Sequence, residues 1–354
     1  MKIPKTMRAL RKLSRGHGLS LVELPVPKVG PKDVLIRMRA AGICGTDYHI
    51  YSWDPWSQNR IKPPLTTGHE FVGTVVAVGP SIQHVALGQR VSGEGHIVCG
   101  HCYFCRTGQG HICESVKIIG VDCDGCFAEY MAFPAENLWP VPETIPDQFA
   151  SIFDPIGNAM HTVMAATISG KTILVMGAGA IGIFAVSIAK TAGATSVIVI
   201  EPHPYKRALA KKAGASTVLD PTKDDIARKV HQLTHGLGPE VVLEMSGNAR
   251  GMKQAFQLLR KGGEICLLGI PPANVEINWA EDIIFKAITI HAITGRRMYD
   301  TWYQSHEFLL HHQNSINPVV THILPFADFQ KGFDLMDQGK CGKVVLTFDG
   351  YSTK

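Results

Sequence analysis

Short runs of Val, Ile and Leu recur along the chain under two kinds of punctuation. Before about residue 155, the runs over 19–24, 34–41 and 73–78 are separated by Pro25, Pro27, Pro31, Pro63 and Pro64. Apolar runs this short, set between prolines, predict strands and turns. From about residue 160 the texture changes. Runs over 173–176, 196–200, 241–244 and 265–268 read as buried strands, and helical stretches such as 181–192 and 205–213 lie between them, the latter ended by Gly214. Strand–helix alternation predicts parallel pairing and a doubly wound sheet. The tail from about residue 296 predicts a helix over 300–311 and a final strand over 343–348. No internal repeat or low-complexity tract is visible.

One stretch imitates a membrane span. Residues 172–189 carry no charge and are bracketed by Lys171 and Lys190, which is near the length needed to cross a bilayer. Gly177, Gly179 and Gly182 interrupt it, so a strand, a glycine turn and a helix account for it better. Residues 1–24 alternate charges with short apolar steps and lack the apolar stretch of a secretory signal. The expectation is a cytoplasmic protein with no membrane partner.

Composition narrows the class. At 354 residues the chain predicts two or three domains, and 45% hydrophobic with 18% charged residues excludes a disordered or fibrous chain. Lys plus Arg exceed Asp plus Glu by five (35 against 30) with no dense basic run, which argues against a nucleic-acid partner. Nine cysteines without a secretory signal argue for metal or catalysis before disulfides. Seven of them precede residue 127; Cys266 and Cys341 come later, in apolar or turn contexts that suit a small buried hydrophobe.

Gly177-Ala-Gly179-Ala-Ile-Gly182 follows a predicted strand and opens a predicted helix. The first glycine permits the tight turn, the second lets backbone approach a pyrophosphate, and the third lets helix pack on strand. The helix N-terminus then faces the anion. The next strand ends at Glu201, placed to accept hydrogen bonds from both ribose hydroxyls and to repel a 2′-phosphate, so NAD is expected over NADP. Lys206 is the counter-evidence.

Cys99-x2-Cys102-x2-Cys105-x7-Cys113 supplies four thiolates on one short loop, enough to close a tetrahedral structural zinc site. Cys123 and Cys126, flanking an Asp-Gly turn, and His96, His101 and His111 are further candidates by residue type. A second, dispersed set offers the three donors of an open catalytic zinc: Cys44 in Cys44-Gly-Thr46-Asp-Tyr-His49, and His69 with Glu70 in Gly68-His-Glu-Phe-Val-Gly73. Asp154, in Phe153-Asp-Pro-Ile-Gly157, adds a carboxylate where the β-rich and alternating parts meet.

The order and spacing of these motifs resemble the zinc-dependent medium-chain alcohol dehydrogenase family over essentially the whole chain. The closer likeness is to the members that oxidise the secondary alcohol of L-threonine. It is carried by Cys44-Gly-Thr-Asp-Tyr-His-Ile-Tyr51 with Trp53 and Trp56, Gly93-Glu-Gly-His96, Phe153-Asp-Pro-Ile-Gly-Asn158 and Thr294-Gly-Arg-Arg-Met-Tyr-Asp-Thr-Trp302. The resemblance implies an α/β chain with a GroES-like β-rich catalytic domain from residues 1–157 and 296–354 and an inserted Rossmann NAD-binding domain over 158–295. It implies two zinc ions, a catalytic one on Cys44, His69 and Glu70 and a structural one on Cys99, Cys102, Cys105 and Cys113. Thr46 and His49 fall on the proton-relay positions. Asp154 stands where many relatives carry a Glu that approaches the zinc, and is read as an outer proton acceptor. The cofactor contacts carried over are Gly177, Gly179, Ile181, Gly182, Glu201, Lys206, Leu268, Gly269, Ile270, Ala292 and Ile293. A homotetramer is implied, with the strand near 288–293 pairing across subunits.

Alcohol oxidation then follows from general chemistry. Zinc that lowers the pKa of bound water to ~7 does the same for a secondary alcohol, and hydride leaves readily from an alkoxide carbon. The expected product from threonine is 2-amino-3-oxobutanoate. A polyol or sugar-alcohol dehydrogenase would share every one of these groups. A non-catalytic NAD-binding protein would be expected to lack Cys44 or His69, and a zinc-free quinone reductase would not need the four cysteines.

Overall fold

The strand Asp33–Ile43 is buried along most of its length, and it organises the sheet that positions the first site. The computed structural model describes residues 3–349. In it this strand pairs antiparallel with Glu70–Val78, Tyr130–Pro134 and Lys343–Thr347. Arg90–Gly93, Leu138–Pro140 and Val320–Pro325 complete a seven-stranded sheet. Register does the positioning. Gly42 lies opposite Glu70 and Ile43 opposite Val344, so Cys44, His69–Glu70 and Lys343 arrive at one edge of the sheet from far-apart parts of the chain. Gly42 is required there, because a Cβ on it would stand 2.1 Å from Glu70 Oε2.

These strands belong to a unit made of Met1–Asp154, Val320–Gln338 and Lys343–Lys354. A buried charge cluster ties its sheet together. Asp147, at the start of the short helix Asp147–Ala150, accepts from Arg39 Nε at 2.9 Å and from Arg90 Nη2 at 2.6 Å.

The second unit contains Pro155–Val319 and Gly339–Gly342. Its sheet has six parallel strands in the spatial order Thr217–Leu219, Ser196–Ile200, Thr172–Met176, Val241–Glu244, Glu264–Leu267, Thr289–Ala292. Counted along the chain this is 3-2-1-4-5-6, the doubly wound dinucleotide-binding order. The uncharged run over 172–189 is the first of these strands, a turn, and the helix Ala180–Thr191, buried from Gly182 to Ala189. No helix among the described residues is long and apolar enough to cross a membrane.

The division differs from the expected boundaries at 157 and 296. Residues 296–319 fall with the parallel sheet, and with them the helix Asp300–Ile316. The reason is packing: the buried Arg296 side chain fills the space over Gly157, and Ser187 Oγ donates to the Ser315 carbonyl at 3.0 Å.

Arg90 and Asp147 side chains are 5% and 8% exposed, so removing one partner strands a buried charge. Asp147→Ala should lower the unfolding free energy by about 3–5 kcal/mol. Denaturant unfolding checks this, and Asp147→Asn, which keeps some hydrogen bonds, should cost less.

Candidate active site and metal centres

The strand Asp33–Ile43 ends at Cys44, which N-caps the helix Gly45–Ser52. Asp47, three residues on, turns back to accept from the Cys44 backbone N–H at 2.9 Å, and its other oxygen accepts from Gly68 N–H at 3.1 Å. One fully buried carboxylate thus clamps both loops. Gly68 has φ of +89°, and a Cβ there would lie 2.4 Å from Phe127, so only glycine lets the chain bend into His69.

Within this clamp, donor atoms of Cys44, His69 and Glu70 lie within 4.8 Å of one another. His69 Nδ1 is buried without a hydrogen-bond partner, 3.8 Å from Asp47 Oδ1. Burial alone would lower the His69 pKa, but Asp47 and Cys44 outweigh it and hold the imidazole well above its usual value. Burial raises the Glu70 carboxyl, opposed by Lys343, whose Nζ donates to both of its oxygens at 2.7 and 2.8 Å. Asp154, buried nearby, raises both His69 and Glu70 and lies outside the three-donor group. An orphaned imidazole nitrogen, a thiol and a carboxylate in a field this negative fit a divalent cation.

Thr46 Oγ1 lies 3.9 Å from Cys44 Sγ. His49 stands three residues further along the same helix, a spacing that puts the two side chains on one face. The imidazole is 55% exposed, and its Nδ1 is 2.7 Å from Asp54 Oδ2. It is therefore brought near the donors by the helix and not joined to them.

The four cysteines form the second group. Cys99 and Cys105 sulfurs are 4.0 Å apart, and Cys102 and Cys113 sulfurs 3.9 Å. Four sulfurs ~2.3 Å from a tetrahedral zinc would stand ~3.8 Å apart, so the loop already has the shape of the ion. Backbone N–H groups of Cys99 and Ser115 point at Cys113 Sγ, and that of Cys102 at Cys99 Sγ. Hydrogen bonds, led by that of Cys105, pull the Cys102 thiol down to about 6, while desolvation pushes Cys105 up to about 12. Each added negative charge thus meets resistance that a cation would remove. Cys123 and Cys126 join neither group among the described residues. They flank a loop whose Gly125 and Cys126 N–H groups donate to Thr66 and Gly68 carbonyls.

In the second unit, Gly177 has φ of +89°, and a Cβ on Gly182 would lie 2.2 Å from the Gly177 carbonyl. Gly179 caps the helix Ala180–Thr191 and faces open space, which leaves the helix N-terminus accessible to an anion. The Glu201 side chain accepts from Ala178 N–H at 2.8 Å and His203 N–H at 2.9 Å. A cavity of about 700 Å³ is lined by Gly177, Gly179, Glu201 and Lys206, together with Asn248 and Arg250, which sequence reasoning missed. Asn248 is the N-cap of the helix Ala249–Leu258, a signal that was available. Ile181, Gly182, Leu268, Gly269, Ile270, Ala292 and Ile293 do not line it. The last five sit at or just beyond the carboxyl ends of Glu264–Leu267 and Thr289–Ala292, where open parallel sheets bind ligands.

Comparison with known proteins bears on these features. A family model described as the alcohol dehydrogenase GroES-like domain matches residues 30–143, and one described as zinc-binding dehydrogenase matches residues 180–311. The L-threonine 3-dehydrogenase of Pyrococcus horikoshii is 46% identical over 341 residues, covering 96% of this chain and 98% of that protein. That of Stenotrophomonas maltophilia is 47% identical, covering 97% and 100%. A zinc-binding dehydrogenase of Sinorhizobium meliloti, solved bound to NADP, is 29% identical with a TM-score of 0.88, covering 97% of this chain and 100% of that one. With both family models matched in chain order and near-half identity from end to end, the chain belongs to the zinc-binding alcohol dehydrogenase family.

Proposed function

We propose that this protein oxidises the secondary alcohol of L-threonine to 2-amino-3-oxobutanoate, with NAD as hydride acceptor. The observation that carries the reading is the convergence of Cys44, His69 and Glu70 at one sheet edge, in a chain similar along its length to threonine dehydrogenases. Zinc held by Cys44, His69 and Glu70 would supply the Lewis acid that makes an alcohol hydroxyl acidic near neutral pH. NAD held at Gly177, Gly179, Gly182 and Glu201 would supply the hydride acceptor.

The chain's own groups then manage the proton. Thr46 Oγ1, beside Cys44, accepts the hydroxyl proton and passes its own to His49. His49, at the exposed end, releases it to solvent. Asp154 stays outside the ligand set and adds negative field that favours the cation. Cys99, Cys102, Cys105 and Cys113 hold a second, structural zinc with no open position.

Two further readings concern the protein's setting. The edge strand Thr289–Ala292 has one neighbouring strand among the described residues, and Trp279, Ile284 and Phe285 expose large apolar surfaces just before it. These features support pairing with a second copy within a homotetramer. Nine cysteines, with no disulfide among the described residues, support a reducing, cytoplasmic location.

The direct test is NADH formation from L-threonine, L-serine, 2,3-butanediol and sorbitol. L-threonine should be the preferred substrate; efficient sorbitol oxidation with threonine untouched would overturn the assignment. Cofactor choice is checked by Glu201→Ser, which should weaken NAD binding by about 1.5–3 kcal/mol, or about 10–150-fold, and relieve exclusion of NADP. Mild chelation should abolish activity before it unfolds the protein, because Glu70 is shared with Lys343 while the cysteine loop is closed. Metal analysis and melting curves follow the two losses. His49→Ala should lower kcat by about 10²–10⁴-fold at neutral pH with zinc content unchanged; near-native kcat would remove His49 from the relay.

A further inference from the structure

The turn after the helix Gly45–Ser52 holds residues that neither metal group nor cofactor cavity uses. Trp53 ends that helix with φ of 61° and ψ of 46°, a left-handed conformation that is unfavourable for a residue with a Cβ. The surroundings hold it there. Its N–H donates to the His49 carbonyl at 2.9 Å, and its own carbonyl accepts from Gln58 Nε2 at 2.9 Å. The Lys12 ammonium, itself bonded to the Gly16 and Gly18 carbonyls, sits 4.7 Å from the indole centroid.

This reversal brings Asp54 back beside His49. Asp54 Oδ2 lies 2.7 Å from His49 Nδ1, and Asp54 Oδ1 accepts from Ser57 N–H at 2.9 Å as the N-cap of Pro55–Arg60. The second bond fixes the carboxylate, so the first fixes the imidazole. The Trp56 ring, 6.2 Å from that of His49 and tilted by 60°, flanks it. Burial pushes the Asp54 carboxyl up, but the hydrogen bonds from Ser57 and His49 outweigh it and hold it below its usual range. An ionised carboxylate only accepts, so His49 must donate from Nδ1. Nε2, which has no partner among the described residues, then carries the lone pair.

We propose that Asp54 is the positioning residue of the proton relay, holding His49 as the Nδ1–H tautomer so that Nε2 can accept the proton passed on from Thr46. The inference rests on the relay reading of His49. It assigns a purpose to the Trp53–Asp54 turn, which a loop serving only to start the next helix would not need. A wrong tautomer would present an N–H to the incoming proton and stop the transfer, the same reason a triad aspartate matters to its histidine.

Asp54→Asn separates orientation from capping. Asn caps a helix as well as Asp does, but its amide can donate to Nδ1 and reverse the tautomer. In the zinc- and NAD-loaded enzyme, Asp54→Asn should lower kcat by about 10–100-fold while KM for threonine and NAD changes less than about twofold. The melting temperature should hold, and added imidazole, a diffusible proton acceptor, should restore part of kcat, as it should in His49→Ala. Asp54→Ser, which keeps a cap without the reach to His49, should behave alike. Near-native kcat in Asp54→Asn beside a His49→Ala that has lost its activity would overturn the inference and leave the relay standing. Near-native kcat in His49→Ala would remove the relay and the inference together. A loss in both Asp54 variants that tracks a lower melting temperature and ignores imidazole would assign Asp54 to the fold alone and overturn the proposal.

Discussion

Asp47 is a carboxylate with no exposed surface, and the loops carrying the donor residues meet on it. Burying a charge is tolerable only where it is paired and hydrogen-bonded. Here the pairing comes from the Cys44 and Gly68 N–H groups and the field of His69. The same few ångströms hold Cys44, Glu70 and Asp154, with Lys343 as the fixed cation. A divalent cation would offset this negative field; without one, Asp47 and Cys44 hold the His69 imidazole above its usual range despite its burial.

The two metal groups solve opposite problems with the same physics. The cysteine loop offers four sulfurs, so a tetrahedral ion there would have every position taken and its binding would be part of folding. The sheet-edge site has three donors, and one of them, Glu70, is also engaged by Lys343. A cation held there would leave room for a substrate oxygen and would be given up more readily. The parallel-sheet unit is built differently: its cavity carries Glu201, Asp224 and Asp225 beside Lys206 and Arg250, and the helix N-terminus at Gly179 faces open space.

Much of this was legible before any coordinates, because the signals are local. Glycine spacing after an apolar run marks a phosphate-binding turn, and four cysteines within fifteen positions cannot avoid one another. Asp47 was not singled out in the sequence; its capping bond to Cys44 and its second bond to Gly68 came from the structure. What stayed hidden depends on long-range register. Lys343 reaches Glu70 only because Val344 pairs with Ile43, and nothing near residue 343 announces it. The Arg296–Gly157 contact that draws residues 296–319 into the parallel-sheet unit is likewise a matter of shape across distant segments. His49 came from the family resemblance as a relay position, yet the partner that orients it, Asp54, depends on the left-handed conformation of Trp53, an unusual one for a bulky residue.

The central claim is that an open three-donor site and a closed four-thiolate site both hold zinc in the active protein. Anomalous diffraction from crystals of the active enzyme, collected on either side of the zinc absorption edge, tests this directly. The account predicts two peaks per chain, one among Cys44, His69 and Glu70 and one inside Cys99, Cys102, Cys105 and Cys113. A fully active enzyme with a peak only in the cysteine loop would contradict it.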